Sequence, residues 1–119
     1  MTIEDFNKGP GNCAIRPDEL LTEIRFPALS GDEAVGYFKI GKRKSLAIVV
    51  LAVAIYIKRT PDNKVEDCRV VLGAVSKHPM RSPELEALLK GRALTRQSLD
   101  DTLPAFTDAV QAAIPTRPS

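Results

Sequence analysis

Residues 46–57 form an unbroken apolar run, Leu-Ala-Ile-Val-Val-Leu-Ala-Val-Ala-Ile-Tyr-Ile. Lys39, Lys42, Arg43 and Lys44 precede it, and Lys58 and Arg59 close it. A membrane-crossing helix needs roughly 20 apolar residues, and this run is far shorter. Ile48, Val49, Val50, Val53, Ile55, Tyr56 and Ile57 are β-branched or aromatic and favour a strand. Polar alternation is absent, so the run is expected to be a central strand covered on both faces. Its basic residues would sit at the mouth of that strand. The simplest reading of them is a solvated loop.

The rest of the chain supplies partners. With 119 residues there is room for one domain with a modest core. Residues 1–17 are rich in Gly, Pro and Asn and read as an irregular lead-in, leaving 18–118 as the domain proper. "LLTEIRFP", residues 20–27, alternates Leu21, Glu23 and Arg25 against Thr22, Ile24 and Phe26. It is expected to form a strand stopped by Pro27. "VGYFKIG", residues 35–41, reads as a short strand. "TPDNK", residues 60–64, is a tight reversal, and residues 65–75 return along the long strand as a hairpin. Gly73 within that return suggests a bulge or a close backbone approach.

Past residue 80 the pattern becomes helical. Ser82 can cap a helix, Pro83 suits its first position, and Glu84 lies near the positive end of its dipole. Leu85, Leu88 and Leu89 form its apolar stripe, and Gly91 can end it in a left-handed conformation. Leu99, Leu103, Phe106, Val110 and Ile114 mark a second helix, with Ser98 as a possible cap. Pro104 requires either a kink or a start at Thr102. Strands first and helices last define an α+β fold: an antiparallel β-sheet with the C-terminal helices packed on one face.

Chemistry-bearing patterns are scarce. His78 is the single histidine and falls in a loop, so no His-based metal cluster or relay can form. Asp100 and Asp101 point to different sides of a helix and cannot act as a paired acid and base. Neither GxGxxG, GxxxxGK[ST] nor GxSxG is present. No catalytic residue and no metal ligand is assigned. Cys13 and Cys68 stand apart, each expected as a small buried hydrophobe. Without a secretory pattern they read as reduced thiols in a cytoplasmic protein. Acidic residues (15) nearly balance basic ones (17), and Trp is absent, which argues against nucleic acid. The residues thus describe a module that assists another protein.

The ordered set "GPG…RPDELLTEIRFP", "GYFKIGKRKSLAIVVLAVAI", "VEDCRVVLGAVSKHPMR" and "ELEALLKGRAL" resembles a known family. It is similar to the C-terminal domain of the FAD-binding (medium) subunit of molybdenum hydroxylases, the xanthine dehydrogenase and carbon monoxide dehydrogenase type. "KRKSLAI" is most similar to the xanthine dehydrogenase-like branch. The likeness implies a domain that packs beside the flavin while electrons pass from a molybdenum centre through iron–sulfur clusters to FAD and an acceptor. It implies that Lys39, Lys44, Ser45, Leu46 and Ile48 lie near the flavin, with Lys39 as a cation and Ile48 as an apolar wall. Ala47 departs from the Asp of many members. FAD is expected in the full-length subunit and not on this chain alone, which would be inactive by itself. The implied partners are the FAD-cradling N-terminal part of the same subunit and the molybdenum and iron–sulfur subunits. Membrane and nucleic acid are not among them. The alternative is a free-standing interaction module of the same fold, without flavin, with a homo-oligomer as one form of it.

Overall fold

The computed structural model describes residues 1–41, 48–76 and 78–113. Its centre is a four-stranded antiparallel sheet in the order β3-β4-β5-β6: β3 (Glu33–Gly41), β4 (Val49–Arg59), β5 (Val65–Gly73) and β6 (Met80–Arg81). Ahead of it stand a single helical turn, α1 (Ile3–Phe6), and a two-stranded hairpin, β1 (Asn7–Gly9) with β2 (Asn12–Cys13). After it come α2 (Pro83–Leu89), α3 (Arg96–Asp100) and α4 (Leu103–Ala113). The α+β architecture expected from the sequence is the one observed.

The β4–β5 hairpin turns where the sequence places it. Thr60 N–H donates to Lys64 O at 2.9 Å and Asn63 N–H to Thr60 O at 3.0 Å, with Asn63 at φ 59°. Asn tolerates that left-handed conformation better than most residues. Gly73 pairs with Ala52, and a Cβ added there would lie 3.3 Å from the Ala52 Cβ. Close approach, and not a bulge, is therefore the reason for that glycine.

Register decides which face is core. Ile57 pairs with Cys68, Ile55 with Val70 and Val53 with Leu72. This face packs under α2 and α4: Cys68, Val70, Leu72, Leu85 and Leu89 are buried, and Val53, Ile55, Ile57, Leu99, Phe106 and Val110 pack against them. The expectation that β4 is covered on both faces is corrected. β4 is central, but its residues are only half-buried, and Val50 is exposed. Alternation is hidden in the sequence because the uncovered face carries Ala52, Ala54 and Tyr56, which count as apolar yet tolerate water. The strand starts at Val49; Leu46 and Ala47 fall outside the described residues.

The sheet's two edges differ. Beyond β5, β6 pairs with Val71 and Leu72. Val65 N–H then donates to Arg92 O at 2.8 Å, and Gly91 N–H donates to Val65 O at 2.9 Å. That edge is sealed. The opposite edge is β3, which among the described residues pairs only with β4.

Other expectations change in detail. Residues 20–27, expected as a strand, belong to no strand. An alternating pattern needs a neighbouring strand to hydrogen-bond, and the described residues provide none there. The hairpin and helical turn occupy the Gly-rich lead-in. The second helical segment is divided: Thr95, not Ser98, caps α3, its hydroxyl accepting from Ser98 N–H at 3.3 Å. α4 begins at Leu103, after Thr102, so Pro104 sits in the first turn where its missing N–H has no helical partner to lose. Ser82 caps α2 as expected, and Gly91 is left-handed at φ 77°. Cys68 is buried, whereas Cys13 is exposed, contrary to the buried reading.

Candidate functional site

Of the residues singled out from the sequence, Lys39 and Ile48 are described, and both lie at the connected end of the β3–β4 hairpin. Lys39 lies in β3 opposite Ala52, next to Tyr37 opposite Ala54 one register step away on the same face. A register shift between Ile40 and Gly41 leaves Val50 without a direct partner, as in a β-bulge. Ile48 precedes the strand and is 86% exposed. Lys44, Ser45 and Leu46 lie outside the described residues. Lys39 and Ile48 are thus brought to the same end of one hairpin. The sequence does not single out Tyr37, Val50 and Ala52, which share the face with Lys39.

This face is a shallow apolar floor. Ala52, Ala54 and Gly73 are small and half-buried, and Gly73 lies close against Ala52. Val35 and Tyr37 from β3 and Val50 from β4 stand around it, Tyr37 being 66% exposed. Lys39 is exposed and has no ion pair among the described residues. On the helix-facing side, Phe38 and Ile40 project past the region the helices cover and are also exposed. β3 therefore shows apolar side chains on both faces and an unpaired edge. Such a strand ordinarily lies against something.

The far end of the open face is polar and satisfied. Tyr56 Oη donates to Glu33 Oε1 at 2.6 Å, and the Arg69 guanidinium stacks over the Tyr56 ring at 5.8 Å. Glu33 also accepts the Ser30 N–H at 2.8 Å, which holds its carboxyl below the usual range, with help from Tyr56. The same carboxylate pushes the Tyr56 phenol up to about 12. The Tyr56–Glu33 bond ties β4 to β3 at this end.

Other candidates do not form sites. His78 is exposed in its loop. Burial pushes the Cys68 thiol up, and its Sγ donates to Glu86 O at 3.4 Å, so it is poorly suited to nucleophilic work. No group of three His, Cys, Asp or Glu suited to a metal occurs among the described residues. Among them, too, no helix is long and apolar enough to cross a membrane.

The structure is thus an antiparallel sheet with one face under C-terminal helices and an exposed apolar hairpin face on which Lys39 has no ion pair among the described residues. Comparison with known proteins gives that fold its family. The sequence model of the CO dehydrogenase flavoprotein C-terminal domain matches residues 36–117, and the chain belongs to this family. It is 30% identical over its full length to the nicotinate dehydrogenase FAD-subunit of Eubacterium barkeri, covering 41% of that protein. To the glyceraldehyde dehydrogenase medium chain of Sulfolobus acidocaldarius it is 34% identical over 82% of its length, covering 34% of that protein. Among solved structures, carbon monoxide dehydrogenase from Hydrogenophaga pseudoflava superposes with a TM-score of 0.74 at 26% identity. That match takes in 98% of this chain and 38% of the other. The chain thus spans well under half the length of these relatives, and the resemblance read from its sequence is borne out.

Proposed function

We propose that this chain is the flavin-flanking domain of the FAD subunit of a molybdenum-dependent dehydrogenase, with 18–118 as the domain unit. The observation that carries the reading is the exposed apolar end of the β3–β4 hairpin, with Lys39 and Ile48 at one end of it. A planar isoalloxazine needs an apolar wall, and its anionic forms and a nucleotide acceptor favour a nearby cation. The floor around Ala52 and Val50 fits the first need, and Lys39 fits the second. Lys44, Ser45 and Leu46 belong to the same proposal by position in the sequence.

The fit is to one side of the cofactor only. The sequence has no glycine-rich phosphate loop of the dinucleotide type. A diphosphate cradle must come from the FAD-cradling remainder of the subunit, so the isolated chain would not hold FAD or act as an enzyme. Bound between the two parts, FAD would pass electrons received from iron–sulfur clusters to an acceptor. The chain's own residues would flank the ring, exclude water from one side and present a positive charge. Molybdenum and iron–sulfur subunits are the further partners, and the reduced cysteines suit the cytoplasm.

The test is reconstitution with the FAD-cradling polypeptide. The complex should be yellow with a flavin spectrum, and this chain alone colourless. Lys39→Ala should leave the melting temperature near wild type, because the side chain is exposed, yet change the rate of acceptor reduction. Tight FAD binding by the chain alone, or unchanged kinetics in Lys39→Ala, would count against the reading. A stable, flavin-free oligomer that ignores the cradling polypeptide would favour a free-standing interaction module.

A further inference from the structure

A second exposed apolar surface lies outside that hairpin, in residues 20–26. Leu20, Thr22, Ile24 and Phe26 fall on one parity, and Leu21, Glu23 and Arg25 on the other. In a strand the first set would line one face. Residues 20–29 belong to no helix or strand and make no backbone–backbone hydrogen bond among the described residues. Leu20 is 84% exposed, Ile24 67% and Phe26 83%. Glu23 and Arg25 meanwhile pair with each other at 2.7 Å. The chain therefore holds a strand's sequence pattern and its exposed apolar row, but among the described residues no partner strand.

A second feature adjoins it. A groove of about 810 Å³ runs between this segment and α1, lined by Met1, Ile3, Phe6, Leu21, Ile24 and Phe26. The hairpin comes near the loop of the main sheet at Gly9, where an added Cβ would lie 3.6 Å from His78 Cε1. The family model, moreover, begins at Gly36. Similarity to the nicotinate dehydrogenase FAD-subunit nonetheless extends over the whole chain, while 41% of that protein is covered. Residues before 36 are thus shared with full-length relatives without belonging to the domain that defines the family.

We propose that residues 20–26 are a strand arm that joins a β-sheet in the FAD-cradling remainder of the subunit. Its free backbone groups extend that ladder, and Leu20, Ile24 and Phe26 fill the adjoining apolar layer. The groove beside α1 closes in the same event. This inference rests on the reading that the chain works within a flavoprotein subunit, and it adds the surface by which the two parts are held.

Amide hydrogen exchange on the chain alone and in complex with the FAD-cradling polypeptide tests it. Residues 20–26 should exchange freely in the chain alone and slow by about 100-fold or more in the complex. Ile24→Pro, which removes a ladder donor, should weaken the complex by about tenfold or more. It should leave the thermal melt of the free chain unchanged, since the arm is outside the core. Phe26→Ala should weaken the complex without altering the backbone. A yellow complex whose arm still exchanges freely overturns the arm and leaves the flavin reading standing. Failure of any complex to form removes both. Arm protection in a homodimer of the free chain assigns the strand to a second copy and overturns the proposal.

Discussion

Glu86, on α2, completes the β5 ladder where β6 ends: its Oε1 accepts the Val70 N–H at 3.1 Å. Val70 O accepts the Ser82 N–H at 2.9 Å, so both backbone groups of Val70 are satisfied from the helix side. The carboxylate also takes two charge-assisted bonds from Arg81, Nε at 2.7 Å and Nη2 at 2.8 Å. Glu86 is buried at 5% exposure, whereas the Arg81 side chain is largely in solvent. Replacing Glu86 by Ala leaves a buried N–H without an acceptor. The expected loss is about 2–4 kcal/mol in a denaturant melt.

The same residue predicts an acid limb. Arg81 first, then the Val70 N–H, hold the Glu86 carboxyl below its ordinary value of 4.5. A carboxylate depressed in the folded state contributes stability above its unfolded pKa and loses it as pH falls through the folded one. Stability should therefore fall from about pH 4.5 downward. In Glu86→Gln, which keeps an acceptor for Val70 but cannot titrate, the slope of that limb should be shallower. An identical acid limb in the two proteins would contradict this assignment.

At the alkaline end the group to follow is Tyr56. Its phenol, donating to Glu33, is pushed up to about 12 from an unfolded value of 10.0. The contribution of this bond is complete below pH 10.0 and is lost as pH rises through about 12. Near-ultraviolet titration of the phenols should show one late component, absent from Tyr56→Phe.

Two glycines separate conformational strain from space. A Cβ would meet nothing within 4 Å at either Gly91 or Gly36, but only Gly91 has a positive φ, 77°. Gly91→Ala should cost about 1 kcal/mol. Gly36→Ala should stay within about 0.5 kcal/mol of wild type. Equal effects in thermal melts would show that the left-handed geometry is not what selects glycine at 91.

The apolar run should respond unevenly along its length. Val53 pairs with Leu72 on the helix-covered face, and Val53→Asp would bring an unpaired charge against the core. A loss of about 3 kcal/mol or more, enough to unfold a marginal domain, is expected. Ile48→Asp, at an exposed position, should change stability by about 0.5 kcal/mol or less. Circular dichroism of the two variants distinguishes these outcomes directly.

What could be read in the sequence was local. The β4–β5 turn, the Ser82 cap, the left-handed Gly91 and the strand character of residues 49–57 depend on neighbours within a few positions, so residue type alone specifies them. Lys39 and Ile48 are singled out only through the family resemblance; their place at one hairpin end comes from the pairing of β3 with β4. Sheet order, the burial of Glu86 under an unfinished ladder and the openness of one β4 face had no such signal. Each depends on which distant segment supplies a hydrogen-bond acceptor or an apolar cover. Residues 20–26 show the division most plainly: their composition makes a strand, but a strand exists only where a second backbone pairs with it, and that pairing belongs to tertiary structure.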